Sequence, residues 1–172
     1  MRGSPYLQLV RPANVVTALA DVLAGYAVAG RPGKTELVAL LVATACLYAG
    51  GVVLNDYFDR DLDRVERPER PIPSGRVAPG AAAALGGCLL AAGILAALAA
   101  SETAGAVGAL TAAAILLYDS WGKRQPLLGP VNMGLCRGLN LMLGVAATPA
   151  ALGSAWYLAI LPVAYITAVT AV

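Results

Sequence analysis

The 172-residue chain is 59% hydrophobic, only 13% charged, and carries a formal net charge of +2. A soluble domain holds about a quarter charged residues; here the deficit is gathered into apolar runs near the roughly 20 residues that cross a bilayer core, without the period-two alternation of a transmembrane β-barrel. The sequence has no histidine, which excludes His-based acid/base catalysis, catalytic triads and the usual zinc sites, and its few loop-bound basic residues exclude a nucleic-acid partner. The expected fold class is all-α, a polytopic transmembrane helical bundle.

Apolar runs and their breakers predict six spans. The first covers Asn14 to Ala29 and stops at Gly30-Arg31-Pro32-Gly33; no cleavage site follows it, so it reads as a spanning helix rather than a signal peptide. The second runs from Glu36 to Asn55, directly into a charged segment. The third covers Gly80 to Ala100, and a tight Ser101-Glu102 link leads to a fourth ending near Tyr118. The fifth starts after Pro126 or Pro130 and ends near Ala147. The sixth begins near Gly153, contains Pro162 and reaches Val172. Gly134-x-x-x-Gly138 lies in the fifth span, where small residues let helix backbones pack closely. Cys46, Cys88 and Cys136 sit in apolar stretches at no metal or disulfide spacing and read as buried packing thiols.

Lys and Arg placement sets the expected orientation. Arg2, Arg11, Arg60, Arg64, Arg67, Arg70, Arg76, Lys123 and Arg124 fall on one side, and only Arg31 and Lys34 on the other. The first side is expected to be cytoplasmic, and Arg137 lies within the fifth span.

The charged segment runs from Asn55 to Arg76. If helix continues through Asp63, then Asp56, Asp59 and Asp63 stand at i, i+3 and i+7 and share a face. Carboxylates so arranged repel one another and call for a cation. Mg²⁺ suits them, being a hard ion held by one or two carboxylates and completed by phosphate oxygens and water. Asp61 falls off this face and is expected to pair with a nearby arginine. A solvated, self-balanced loop is the plain alternative. Against it, the acids come first and the basic residues extend beyond them. Polar groups also lie in or beside spans, at Arg11, Asn14, Asp21, Lys123, Asn132, Arg137 and Asn140, where burial is costly and function is the default expectation.

Asn55-Asp56-x-x-Asp59-x-x-x-Asp63, followed by Arg67-Pro68 and Arg70-Pro71-Ile72-Pro73-Ser74-Gly75, resembles the first Asp-rich signature of the UbiA family of intramembrane prenyltransferases. Arg11-Pro12-x-Asn14 and Tyr118-Asp119-Ser120-Trp121-Gly122-Lys123-Arg124 resemble two further family segments, and Cys136-Arg137-Gly138-Leu139-Asn140 resembles the EboC-like branch. The resemblance implies a nine-helix bundle whose central cavity opens laterally to lipid. It implies Mg²⁺ as cofactor, a prenyl diphosphate donor, and a lipophilic or aromatic acceptor. Asp56, Asp59 and Asp63 would be the catalytic, metal-holding carboxylates, with Asn55 beside them. Asn14, Arg67, Lys123 and Arg137 would contact diphosphate, with Tyr118 near them.

One departure stands out. The family carries a second Asp-rich motif after the sixth span, whereas this sequence reaches Val172 with Asp119 as an isolated carboxylate in an earlier loop. The expectation is the N-terminal part of a longer enzyme, the alternative being a shortened protein that binds a diphosphate lipid without catalysis. A CDP-alcohol phosphotransferase would need an Asp-Gly pair, which does not occur. A cation carrier would place its charges near mid-membrane, not at a helix end.

Overall fold

The computed structural model describes residues 4–171. Arg2, counted above for orientation, and Val172, the expected end of the sixth span, lie outside them. All regular elements among the described residues are helical: α1 (Pro5–Val10), α2 (Pro12–Val28), α3 (Lys34–Phe58), α4 (Arg60–Glu66), α5 (Pro79–Ala100), α6 (Glu102–Ser120), a 3₁₀ turn (Gly122–Arg124), α7 (Leu128–Val145), α8 (Pro149–Ala155), a second 3₁₀ turn (Trp156–Ala159) and α9 (Ile160–Thr170).

Among the described residues four stretches are long and apolar enough to cross a membrane: α3, α5, α6 and the rod Pro149–Thr170; α2 is a shorter apolar helix. With α7, which carries Asn132, Arg137 and Asn140, they match the six expected spans in order. Two boundaries differ for a physical reason. Helix α7 starts at Leu128, so Pro130 sits inside its first turn, where a missing N–H costs nothing. The last rod starts at Pro149 rather than Gly153, and a 3₁₀ turn precedes α9, which puts Pro162 in the first turn of α9.

Helix α3 is central, packed against α5, α2 and α6, while α7 lies between α2 and α9. Close approach explains the α2–α7 contact. A Cβ on Gly25 would land on the Leu141 carbonyl oxygen, and one on Gly144 on that of Val22. Gly134 and Gly138 likewise press against α9, through the Val163 carbonyl and side chain. The largest apolar cluster includes Val22, Leu40, Leu47, Leu90 and Leu143. A smaller one, Leu9, Val53, Ile72, Val77 and Ala82, pins α1 and the 67–78 loop to the end of α3.

One expectation is corrected. Cys88 is exposed on the outer side of α5, and Cys46 and Cys136 are only partly buried. α5 packs one side on α3 and leaves the other on the molecular surface, where a small apolar thiol suits lipid as well as it suits a core.

Candidate diphosphate and cation site

The site is built where α3 and α6 end. A helix C-terminus carries about half a negative charge, so a carboxylate there is disfavoured unless cations answer it. Asp56 lies in the last turn of α3 and Asp119 in the last turn of α6, and both are buried, at 3% and 2% exposed. The side-chain amide of Asn55 donates to Asp119 Oδ1 at 3.1 Å and ties the two ends together. Asp119 Oδ2 is buried with no hydrogen-bond partner among the described residues.

The chain bends at Asp59, whose backbone (φ −89°, ψ 1°) closes α3 and opens α4. Its N–H still donates to the Asn55 carbonyl at 3.0 Å, and the Asp63 N–H donates to the Asp59 carbonyl at 2.8 Å. The helix path is therefore nearly continuous, as the i, i+3, i+7 spacing requires, but the three carboxylates do not converge on one point. Asp56 and Asp63 meet on Arg70, whose Nη1 lies 3.2 Å from Asp56 Oδ1 and 2.6 Å from Asp63 Oδ2. Asp59 turns to Lys123 Nζ at 2.7 Å. Asp61 is off the site and paired with Arg64 at 2.7 Å, as expected.

Arg70 reaches the carboxylates because the Pro-rich loop folds back. Pro68 ends α4, since the residue before a proline is pushed out of the helical region, and Arg67 stands at φ −144°. Tight turns follow, with Ser74 N–H donating to the Arg70 carbonyl and Val77 N–H to that of Pro71, both at 3.0 Å. Gly75 supplies the left-handed residue at φ +75°. Buried Ile72 and Val77 anchor the loop, and Arg76 fastens it to α1 through Gln8 Oε1 at 2.9 Å.

Arg11 provides the second answer to Asp56, its Nη2 donating to Oδ1 at 2.5 Å. Its backbone is left-handed (φ 48°) between α1 and α2, a conformation that costs a non-glycine residue about 1–3 kcal/mol and is further disfavoured before proline. Such strain is held where the surrounding structure over-determines it.

A cavity of about 340 Å³ lies at this end and reaches into the bundle, within the usual range for small-molecule sites. Arg11, Asn55, Tyr118 and Asp119 line its polar mouth; Leu47, Tyr48, Gly51, Val52, Ile115 and Met133 form its largely apolar walls; Arg137 and Asn140 lie farther in.

The expected residues thus divide. Asn55, Asp56, Asp59, Asp63, Tyr118 and Lys123 are gathered at one end of α3. Arg67 is exposed and only grazes Asp63 at 3.7 Å. Asn14 is exposed and off the cavity wall. Arg137 lines the cavity but pairs with Asp21 at 3.0 Å. Arg70 and Asp119 were not singled out as site residues from sequence, and Arg11, noted as a polar group beside a span and as part of a family segment, was given no contact there. Arg70 had no signal beyond its Pro-flanked motif. Asp119 looked isolated because its partner, Asn55, is 64 residues away.

No three His, Cys, Asp or Glu side chains among the described residues form a ready cage for a metal ion. The donor set nonetheless fits a hard divalent cation shared with a ligand. Its oxygens come from carboxylates and an amide, and one carboxylate oxygen, on Asp119, is buried and unused. An anion donor stands beside it, since Lys123 Nζ, though close to Asp59, is misaligned for a hydrogen bond. The Asn132 amide nitrogen, also unpaired, lies against Gly122 in a separate, smaller pocket. Buried groups left unpaired in this way call for a bound ion, water or ligand.

A sequence model of the UbiA prenyltransferase family matches residues 15–172. A digeranylgeranylglyceryl phosphate synthase from Ignicoccus hospitalis is 39% identical over 143 residues, covering 83% of this chain and 47% of the relative. The enzyme of that name from Methanothrix thermoacetophila is 36% identical, covering 85% and 56%. The chain thus spans about half the length of these curated relatives. A solved digeranylgeranylglyceryl phosphate synthase superposes with a TM-score of 0.77 at 26% identity, over 88% of this chain and 59% of that one. A UbiA homologue from Archaeoglobus fulgidus, solved bound to GPP and Mg²⁺, superposes at 0.74 and 22% identity over 91% and 60%, a likeness of fold. The chain belongs to the UbiA prenyltransferase family.

Proposed function

We propose that this multi-pass membrane protein transfers an isoprenyl group from a prenyl diphosphate, held with Mg²⁺ at the α3–α6 end, onto the hydroxyl of a lipid acceptor. The observation that carries the reading is the junction of two unlike environments. Carboxylates, Asn55, Arg11, Arg70 and Lys123 form the mouth, and an apolar-walled cavity leads from it into the bundle. That junction has the form of an amphiphile with a charged head and a hydrocarbon tail.

Asp56 and Asp59, with Asn55 and Asp119 beside them, would hold Mg²⁺, and Asp63 would act through the Arg70 that it shares with Asp56; the ion would supply charge neutralisation of the diphosphate as leaving group. Arg11, Arg70 and Lys123 are placed to take phosphate oxygens by charge-assisted hydrogen bonds. The walls at Leu47, Val52, Ile115 and Met133 hold the tail and keep water from the reacting carbon. The acceptor hydroxyl oxygen bonds to the prenyl C1 as the C1–O bond to diphosphate breaks; the diphosphate leaves with the bonding pair and takes the proton.

Relatives at 39% and 36% identity are named as digeranylgeranylglyceryl phosphate synthases, which supports a glycerophosphate-headed acceptor over an aromatic one and geranylgeranyl as the group moved. The Lys/Arg balance supports a cytoplasmic mouth. The test offers membranes labelled geranylgeranyl diphosphate with either a glycerophosphate prenyl ether or 4-hydroxybenzoate. Label is expected in the ether lipid; label in the benzoate alone reverses the acceptor assignment. Tight Mg²⁺-dependent binding with no transfer to either leaves a diphosphate-lipid binder instead.

A further inference from the structure

The cavity has a second polar tier. On α7, Arg137 and Asn140 line it, and both turn to α2. Asn140 Nδ2 donates to the Ala18 carbonyl at 2.8 Å and to Asp21 Oδ2 at 3.2 Å, and Thr44 of α3 donates to Asn140 Oδ1 at 2.5 Å. Arg137 Nη2 pairs with Asp21 at 3.0 Å and points to the Thr17 carbonyl at 3.5 Å. The Asn140 amide nitrogen is thereby fully occupied. Arg137 is not: no hydrogen bond leaves its Nε or Nη1 among the described residues.

This tier is separate from the diphosphate end. Thr17 and Asp21 follow Arg11 on α2 by six and ten residues, roughly 9 and 15 Å at 1.5 Å per residue. Side chains on a helix tilt toward its N-terminus, and Gly129 near the start of α7 packs on the Gly122 carbonyl beside Lys123. Arg137 therefore leans from the deeper tier back toward the mouth, below the Arg11–Asp56 pair.

Packing alone does not account for the charge. Asn140 and Thr44 already bridge α2, α3 and α7 without one, and an arginine at membrane depth is expensive. Asp21 neutralises one edge of the guanidinium and fixes its plane. The remaining N–H groups then offer a hydrogen-bonding fork to oxygen without a large surplus of positive charge, unlike the mouth, where Arg11, Arg70 and Lys123 suit a multiply charged anion.

We infer that Arg137, held in place by Asp21, binds an oxygen of the acceptor's headgroup and so positions the acceptor beneath the prenyl diphosphate. The inference rests on the prenyl-transfer reading and differs from it in assigning Arg137 to the acceptor rather than to the diphosphate.

The test measures two affinities separately on the full chain in nanodiscs. The acceptor probe is a geranylgeranyl glycerophosphate ether, titrated without donor. The donor probe is a non-hydrolysable geranylgeranyl thiodiphosphate, titrated with Mg²⁺. The double variant Asp21→Asn/Arg137→Gln leaves no unpaired charge behind, and Arg137→Lys keeps the charge. The double variant is expected to weaken the acceptor probe about tenfold or more and leave the donor probe within about twofold, with Arg137→Lys recovering part of the loss. Weakened donor binding in the double variant overturns the inference by returning Arg137 to the diphosphate. Unchanged affinity for both probes, or no acceptor binding in the unsubstituted chain, overturns it as well. Failure of the prenyl-transfer reading shows elsewhere, as an Asp56→Ala chain that binds the donor probe normally.

Discussion

Asn55 donates its side-chain amide to Asp119 Oδ1 at 3.1 Å, so the last turns of α3 and α6 share one hydrogen bond at the mouth of the cavity. The bond fixes one carboxylate oxygen and leaves the other, buried, for a ligand. A charge-assisted bond is worth about 1.5–3 kcal/mol, or roughly 10–100-fold in affinity. Asp119→Asn, which can keep the bond to Asn55, is expected to weaken Mg²⁺-dependent binding of a prenyl thiodiphosphate by that order. Asp61→Asn, away from the site, is expected to leave it unchanged. Equal effects in a calorimetric titration would remove Asp119 from the site.

Arg70 holds two carboxylates that are almost fully buried, Asp56 and Asp63. Removing one partner of a buried pair costs about 3–5 kcal/mol. Arg70→Ala is expected to lower the melting temperature in detergent well beyond Arg64→Ala, whose pair with Asp61 is exposed. Millimolar Mg²⁺ is expected to return part of the difference in the Arg70 variant only. A melting point indifferent to Arg70 contradicts the clasp.

On the proposed reading, the apolar wall would set how long a prenyl tail fits. Val52 lines the cavity one turn into α3 from Asp56, so Val52→Phe is expected to shift kcat/KM toward shorter prenyl diphosphates. A ratio of C10 to C20 donors that stays constant places the tail elsewhere.

Orientation is checked by thiol labelling in a cysteine-free background. Glu69→Cys, in the loop that folds over the site, is expected to react with an impermeant reagent only in inverted vesicles, and Lys34→Cys only in right-side-out ones. The opposite pattern reverses the cytoplasmic assignment.

Much of this was legible in the sequence because spacing and hydropathy are local. The six rods, the near-continuous helix through Asp63, the exclusion of Asp61 and the Gly134–Gly138 contact all follow from helical period or from small residues. What was not legible depended on pairs distant in the chain. Asp59 parts from Asp56 and Asp63 because Lys123, 64 positions later, draws it away. Arg70 outranks Arg67 because prolines at 68, 71 and 73 turn the loop inward, which no charge count reveals. Arg137 stands on Asp21, 116 positions earlier, in a tier that depth along α2 defines. The EboC-like reading of Cys136–Asn140 finds no support in relatives named as synthases.

The most direct measurement follows diphosphate release from labelled geranylgeranyl diphosphate in membranes holding the full chain, with Mg²⁺ and with EDTA, for the unsubstituted protein, Asp56→Ala and Asp59→Ala. Mg²⁺-dependent release that falls at least a hundredfold in both variants is the expected result. Release that persists in either variant, or that ignores EDTA, contradicts the assignment of a cation-held diphosphate to the end of α3.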